Sequence, residues 1–266
     1  MAEGRVSTEE RRSIILDMVR NELSISVADI VARFNVSEVT ARNDLTSLAK
    51  MGKVRRTRGG ACAIDDALNV SLPELRIGVN SDAKRAIGRK AAHMVREGEL
   101  IAVDAGTTAL EFVKSLSPDL HLTLVTYDLA IAMWADSNLP NVEVIMPGGA
   151  ISKNCRYLVG PMVRSDLLRF HFDRVFLGAD TFSSRQGFGT QRLESADIKE
   201  CMIRQAHWHA VLIDSSKVTM PSPVRFATLE DIDAVIMDED PGNAVRLSIA
   251  ALVLDQITDL ILVGRG

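Results

Sequence analysis

Apolar residues recur at helical spacing three times within the first fifty positions. The pattern then changes to short aliphatic runs separated by further helical stretches. "STEERRSIILDMVRNEL" places Ser7 and Glu10 three apart, ahead of Ile14, Ile15, Met18 and Val19, which is a capping box in front of an amphipathic helix. "SVADIVARF" predicts a second, short helix, with Ser26 as its cap and Val27, Ile30, Val31 and Phe34 inward. After the tight turn "NVS", Ser37 caps a third helix, "SEVTARNDLTSLAKMG", whose Val39, Leu45, Leu48 and Met51 are expected to face inward. Glu38, Thr40, Ala41, Arg42 and Asn43 then fall on the exposed side near its start. "KVRRTRGGA" alternates and ends in Gly-Gly, as a two-stranded wing would.

"IDDALNVSLPELRIGVN" carries Pro73 without a clear period and reads as a connector. "SDAKRAIGRKAAHMVREG" is a helix with Ile87, Ala91, Met94 and Val95 on one side. The strands "ELIAVD", "LTLVT", "VEVIM", "RVFLG", "AVLID", "DAVIMD" and "LILVG" follow, alternating with helices such as "TTALEFVKSL", "LAIAMWADS", "SADIKECMIRQAHWH" and "GNAVRLSIAALVLDQI". This order predicts an α/β body with a mostly parallel sheet covered on both faces. The division expected is a helical head over 1–62, a connector over 63–80 and the α/β body over 81–266.

Charge separates head from body. The chain of 266 residues has a formal net charge of −4, yet residues 1–62 balance at +3 and the remainder at −7. From Lys50 to Arg58, five of nine residues are basic and none is acidic. A basic head on an acidic body implies that only the head meets a polyanion. Three helices followed by a basic wing imply double-stranded DNA as that partner. Ser37, Thr40, Ala41, Arg42 and Asn43 would lie toward base edges, and Lys53, Arg55, Arg56 and Arg58 along the backbone. No apolar run is long enough to cross a membrane, and the N-terminal stretch has acids and arginines where a signal peptide needs an apolar core. Cys62, Cys155 and Cys201 are far apart and fit neither a disulfide framework nor a zinc motif, so a cytoplasmic setting is expected.

In an open parallel sheet, ligands gather at the carboxyl ends of strands. Those ends read Asp104, Gly106, Thr107 and Thr108; Thr126, Tyr127 and Asp128; Gly148 and Gly149; Gly178, Ala179 and Asp180; and Asp214, Ser215, Ser216 and Lys217. Taken singly, each is an ordinary cap or turn. Together they suggest a site, and "VDAGTTALEF" supplies its anchor, since a Gly-Thr-Thr turn opening a helix offers unpaired N–H groups and a positive dipole end to a phosphate. His207 and His209, two apart on an expected helix, point to different faces and leave metal binding without a third ligand.

"VSEVTARNDLTSLAKMGKVRRTRGGA" resembles the N-terminal signature of the DeoR family of bacterial transcriptional regulators, through Ser37, Thr40, Arg42, Asp44, Leu45, Leu48, Gly52 and the wing closing at Gly59, Gly60 and Ala61. Ala41 stands where that family has an aliphatic residue, and Asn43 where a second arginine is usual. The resemblance implies that Asp44 pairs with neighbouring arginines. In the body it rests on Asp104 to Thr108, Val125-Thr126, Gly148-Gly149, Gly160-Pro161, Phe176 to Ala179 and Asp214 to Lys217. It implies a winged helix-turn-helix joined to a sensor domain similar in fold to ribose-5-phosphate isomerase. The function implied is DNA-binding repression of a catabolic operon under a phosphorylated sugar or related metabolite, with Asp104, Gly106, Thr107, Thr108, Gly148, Gly149, Lys199 and Lys217 lining the effector site. Tyr127 stands where asparagine is usual, implying a different or larger effector, and Asp180 resembles the "GAD" turn of the isomerases. A homo-oligomer, dimer or tetramer, is expected, and no cofactor. The rival reading is an isomerase-like enzyme carrying a DNA-binding domain, with Asp104 or Asp180 as base and Lys217 as electrophile.

Overall fold

A computed structural model describes residues 7–22, 24–57, 59–62, 79–153, 155–252 and 258–264. The chain divides into two compact units, Met1–Asn69 and Val70–Gly266. Most of the expected connector, residues 63–78, lies outside the described residues.

In the first unit, α1 (Thr8–Glu22), α2 (Val27–Phe34) and α3 (Glu38–Lys50) surround a core of Ile15, Val19, Ile30, Ala41, Leu45 and Leu48. Ser26 and Asp29 close a capping box on α2, and Ser7 accepts a bond from the Glu10 N–H at the start of α1. Strands β1 (Ser24–Ser26), β2 (Arg55–Thr57) and β3 (Gly60–Cys62) form an antiparallel sheet in the order β1-β3-β2. The inner face of α3 differs from the expected one. Val39 and Met51 are exposed, at 67% and 59%, while Ala41, Asp44, Leu45 and Leu48 are buried. Ala41 begins an i, i+3, i+4, i+7 stripe, and Val39, two residues earlier, lies on the opposite side.

The second unit is built on seven parallel strands, in the order β15-β14-β12-β9-β4-β5-β6. They are β4 (Leu100–Val103), β5 (Leu122–Thr126), β6 (Val142–Ile145), β9 (Phe172–Gly178), β12 (Ala206–Leu212), β14 (Ala234–Met237) and β15 (Asp259–Leu262). One face is covered by α4 (Ser81–Ala92), α5 (Thr107–Lys114) and α6 (Leu129–Asn138). The other carries α7 (Pro161–Leu167), α8 (Leu193–Arg204) and α9 (Ala244–Ala250). Two small antiparallel pieces have no counterpart in the hydrophobic pattern: the pair β7 (Ala150–Ile151) and β8 (Leu158–Val159), and a ribbon of β10 (Thr181–Ser183), β11 (Gly187–Thr190) and β13 (Val224–Ala227). The helix expected through "QAHWH" stops at Arg204, and His207 and His209 belong to β12, whose Trp208 packs edge-on against Phe176. The expected C-terminal helix is shorter: it ends at Ala250, with Ala251 as its cap and Leu252 already outside it, and residues 253–257 lie outside the described set.

Helix α4 lies against α5 through Gly88. A Cβ there would stand 2.6 Å from the backbone carbon of Glu111 and 2.7 Å from the amide nitrogen of Phe112. Backbone cannot swing aside as a side chain does, so Gly88→Ala forces the helices apart at a cost of about 1–3 kcal/mol. The expected result is a melting temperature lower by roughly 3–10 °C in a thermal scan; an unchanged value would mean that α4 slides freely over α5.

Candidate functional site

Strand β4 ends at Val103 in the middle of the sheet, and the chain crosses to α5 through Asp104, Ala105 and Gly106. Gly106 caps α5 at φ 139° and ψ 169°, a conformation open essentially to glycine alone. Its N–H donates to Asp128 Oδ2 at 3.1 Å, while Asp128 Oδ1 accepts from Ala130 and Ile131 and so caps α6. One carboxylate thus fixes two helix starts, and burial pushes its pKa up against the pull of those three N–H groups. Helix geometry leaves the N–H groups of Thr107, Thr108 and Ala109 without intrahelical partners, and no described residue accepts from them.

These groups open onto a cleft walled by the ends of β4, β9 and β12 and by the loop from β11 to α8. Its cavity volume is about 70 Å³, within a wider hollow that reaches solvent. Eight of the expected residues line it: Gly106, Thr107, Thr108, Gly178, Ala179, Asp180, Lys199 and Lys217. Residues that the strand-end reading passed over line it too, among them Lys84 on α4, Tyr157 after the β7–β8 turn, and Thr190, Gln191, Arg192 and Ser195 around the start of α8. Burial, and then the neighbouring Cys155 thiol, push the Tyr157 phenol above its ordinary value, so it stays a donor.

Asp104 does not line the cleft. It is fully buried beneath the loop, where Tyr127 Oη, the Gly178 N–H (2.7 Å) and Lys199 Nζ all donate to it, and Lys199 also donates to the Gly178 carbonyl at 3.0 Å. Tyr127 is a buried support for Asp104, so its ring does not enlarge the ligand space; burial, then Asp104's charge, hold its phenol well above the ordinary value. Thr126 is buried as well, accepting from the Asp128 N–H at 3.2 Å. Gly148 and Gly149 lie away from the cleft. Gly148 donates to Asp166 at 2.8 Å, and a Cβ on Gly149 would stand 2.7 Å from Val163 and 2.9 Å from the Val159 carbonyl, so close packing against α7 and β8 explains the pair. Asp180 accepts from Thr190 Oγ1 (2.9 Å) and the Gln191 N–H (3.1 Å), holding the loop in place.

At the end of β12, Asp214 accepts from Asn80 Nδ2 at 2.9 Å and from Ser216 Oγ. Burial raises its pKa, but the Ser216 hydroxyl, Lys217, Asn80 and Lys84 outweigh this, and the net shift is downward. A folded-state value below the unfolded one, which is about 4, gives stability that is complete above that pH and lost as pH falls through the folded value. Asp214→Asn should therefore flatten the acid-side loss of thermal stability below about pH 4. Parallel curves for the two proteins would refute it.

In the first unit, Ser37 caps α3, accepting from the Thr40 N–H at 3.2 Å, and its hydroxyl meets Thr40 Oγ1 at 2.9 Å. Arg42 and Asn43 are exposed on α3, and Arg42 pairs with Glu38 at 3.1 Å. Ala41, expected toward base edges, is instead fully buried in the helical core. Asp44 is buried between Arg11 Nε (2.7 Å) and Arg12 Nε (2.8 Å), which locks α3 to α1. On the wing, Lys53 is exposed and Arg56 donates to the Gly60 carbonyl at 2.7 Å. Arg58 and the side chain of Arg55 lie outside the described residues. His207 is exposed on β12, and His209 Nδ1 is 2.8 Å from Asp233; among the described residues no three His, Cys, Asp or Glu side chains are grouped to hold a metal. No described helix is long and apolar enough to cross a membrane.

Residues 11–67 match the model of the DeoR-like helix-turn-helix domain, and residues 79–239 that of the DeoR C-terminal sensor domain. The HTH-type transcriptional regulator GlpR of Haloferax volcanii is 31% identical, covering 86% of this chain and 89% of that protein. The HTH-type transcriptional repressor GlcR of Bacillus subtilis is 31% identical over 89% and 90%. Among solved structures, ribose 5-phosphate isomerase A of Methanocaldococcus jannaschii aligns at a TM-score of 0.40 and 18% identity, covering 53% of this chain and 55% of the isomerase. A helix-turn-helix unit and a sensor unit matched in this order, with relatives alike along nearly the whole length, show that the chain belongs to the DeoR family of DNA-binding transcriptional regulators.

Proposed function

We propose that the chain is a repressor of a sugar-metabolism operon whose hold on its operator is set by a phosphorylated sugar-type effector in the β4–β9–β12 cleft. The observation that carries this reading is the start of α5. Its unpartnered N–H groups, the Thr107 and Thr108 hydroxyls and the cations Lys84 and Lys217 line one cleft. Arg42, Asn43, Thr40 and Ser37 face base edges, and Lys53, Arg55, Arg56 and Arg58 hold phosphates. A two-fold operator requires at least a dimer. The relative named as a repressor (GlcR) supports the direction of control.

Catalysis has no observation in its favour. Both Asp104 oxygens are occupied by donors, and Asp180 is spent on Thr190 and Gln191.

The test is to select an operator from random DNA with the full-length protein and titrate it with sugar phosphates. Effector and operator must change each other's affinity by the same factor. If ligands that bind the protein leave operator affinity unchanged, the coupling is absent. Arg42→Ala is expected to weaken the selected operator by about 1–3 kcal/mol while nonspecific binding changes little. Equal losses on both DNAs would make Arg42 a backbone contact.

A further inference from the structure

The cleft holds four cations and, on its wall, one acid, Asp180. Three of the cations have partners within the protein. Lys199 pairs with Asp104, and Lys84 and Lys217 lie in the field of Asp214. Arg192 is different. Its Nε is buried and finds no hydrogen-bond partner, and no carboxylate among the described residues pairs with it. Its backbone begins α8, with no side-chain cap, in a loop that Asp180 grips through Thr190 and Gln191 and that the Gln191 side chain anchors to Ser222 at 3.2 Å. Held in a fixed loop on the cleft wall with no carboxylate partner among the described residues, the guanidinium has its charge and its outer N–H groups left for a ligand.

We propose that Arg192 receives a carboxylate of the effector, so that the molecule sensed is a phosphorylated sugar acid. Its phosphate sits at the start of α5 and its carboxylate at the start of α8. The proposal rests on the effector reading above and narrows it. The planar fork of arginine matches a carboxylate in two parallel bonds, and a single positive charge balances a single negative one. A second phosphate suits the position less well, because Glu194 occupies the first turn of α8 and opposes a dianion there. Tyr157, kept protonated beside Arg192, adds a neutral donor that an anion accepts.

Calorimetry on the full-length protein tests this with matched pairs: ribose 5-phosphate against 5-phosphoribonate, and glucose 6-phosphate against 6-phosphogluconate. In the pair of fitting length, the acid is expected to bind at least tenfold more tightly. Arg192→Gln should remove that preference, lowering acid affinity about tenfold while the aldose phosphate loses less than threefold. Arg192→Lys, which keeps the charge without the fork, should retain part of the preference and guards against a variant that merely misfolds. If aldose phosphates bind and the acids bind no better, this proposal falls and the effector reading stands. If fructose 1,6-bisphosphate outcompetes both acids through Arg192, the second group is a phosphate and the carboxylate assignment is overturned. If neither sugar phosphates nor their acids bind, the effector reading fails and takes the proposal with it.

Discussion

Lys199→Met lowers the stability of the sensor unit by about 3–5 kcal/mol, because it leaves Asp104 as an unpaired charge at zero exposure. For a unit of this size that is roughly 10 °C in melting temperature. The tyrosine hydroxyl and the Gly178 N–H remain as donors, but neither brings a compensating charge. Adding Asp104→Asn should recover part of the loss, since the amide oxygen still accepts while the charge is gone. Both tryptophans, Trp134 and Trp208, belong to the sensor unit, so their fluorescence during denaturant unfolding follows that unit alone. A loss below about 1 kcal/mol would mean that the amine answers to the cleft rather than to Asp104.

Asp44→Ala is the corresponding expectation for the head. It strips two guanidinium groups of their shared carboxylate, one of them on the nearly buried Arg11. We expect about 2–3 kcal/mol of destabilisation, softened because Arg12 can turn to solvent. A unit of some seventy residues has only about 3–10 kcal/mol in all, so the fraction unfolded rises steeply and operator affinity collapses. Circular dichroism at 222 nm sees the helices of both units and tryptophan emission sees only the sensor, so the two signals should part. Arg42→Ala serves as the contrast: exposed, it should change stability by less than about 0.5 kcal/mol while still weakening operator binding. If Asp44→Ala binds operator as tightly as the parent, the clasp between α1 and α3 is not what shapes the head.

Much of this architecture can be read from the chain because local signals agree with one another. Ser26 and Ser37 cap where their spacing says, the aliphatic runs pair as parallel strands, and Asp44 meets two arginines, both on α1. The misses come from information that is not local. Every strand end looks equally suited to a ligand, but only strand order decides which ends share a cleft. β4, β9 and β12 are central neighbours, whereas β6 is the edge strand two places from β4, and so Gly148 and Gly149 serve packing. Tyr127, at a strand end that reads as ligand-facing, is buried just past β5 and donates to Asp104. Lys84 and Arg192 sit on a helix and a loop that fold back over the site, and no period in the sequence marks them. In α3 the small Ala41, expected on the exposed side, takes the buried stripe, and Val39 misses it by two residues of phase.

The double grip of Asp128 has a kinetic consequence. Because one carboxylate holds the Gly106 N–H and caps α6 at once, the cradle at the start of α5 is assembled before any anion arrives. For an effector bound there as proposed, capture would need no loop rearrangement, and its rate would be governed by diffusion and by the pull of Lys84, Arg192 and Lys217 on the incoming charge. Association should be fast and should slow as salt is added, while departure is timed by the bonds broken at the cradle. The regulator would thus follow a rise in its metabolite almost as quickly as the metabolite can reach it.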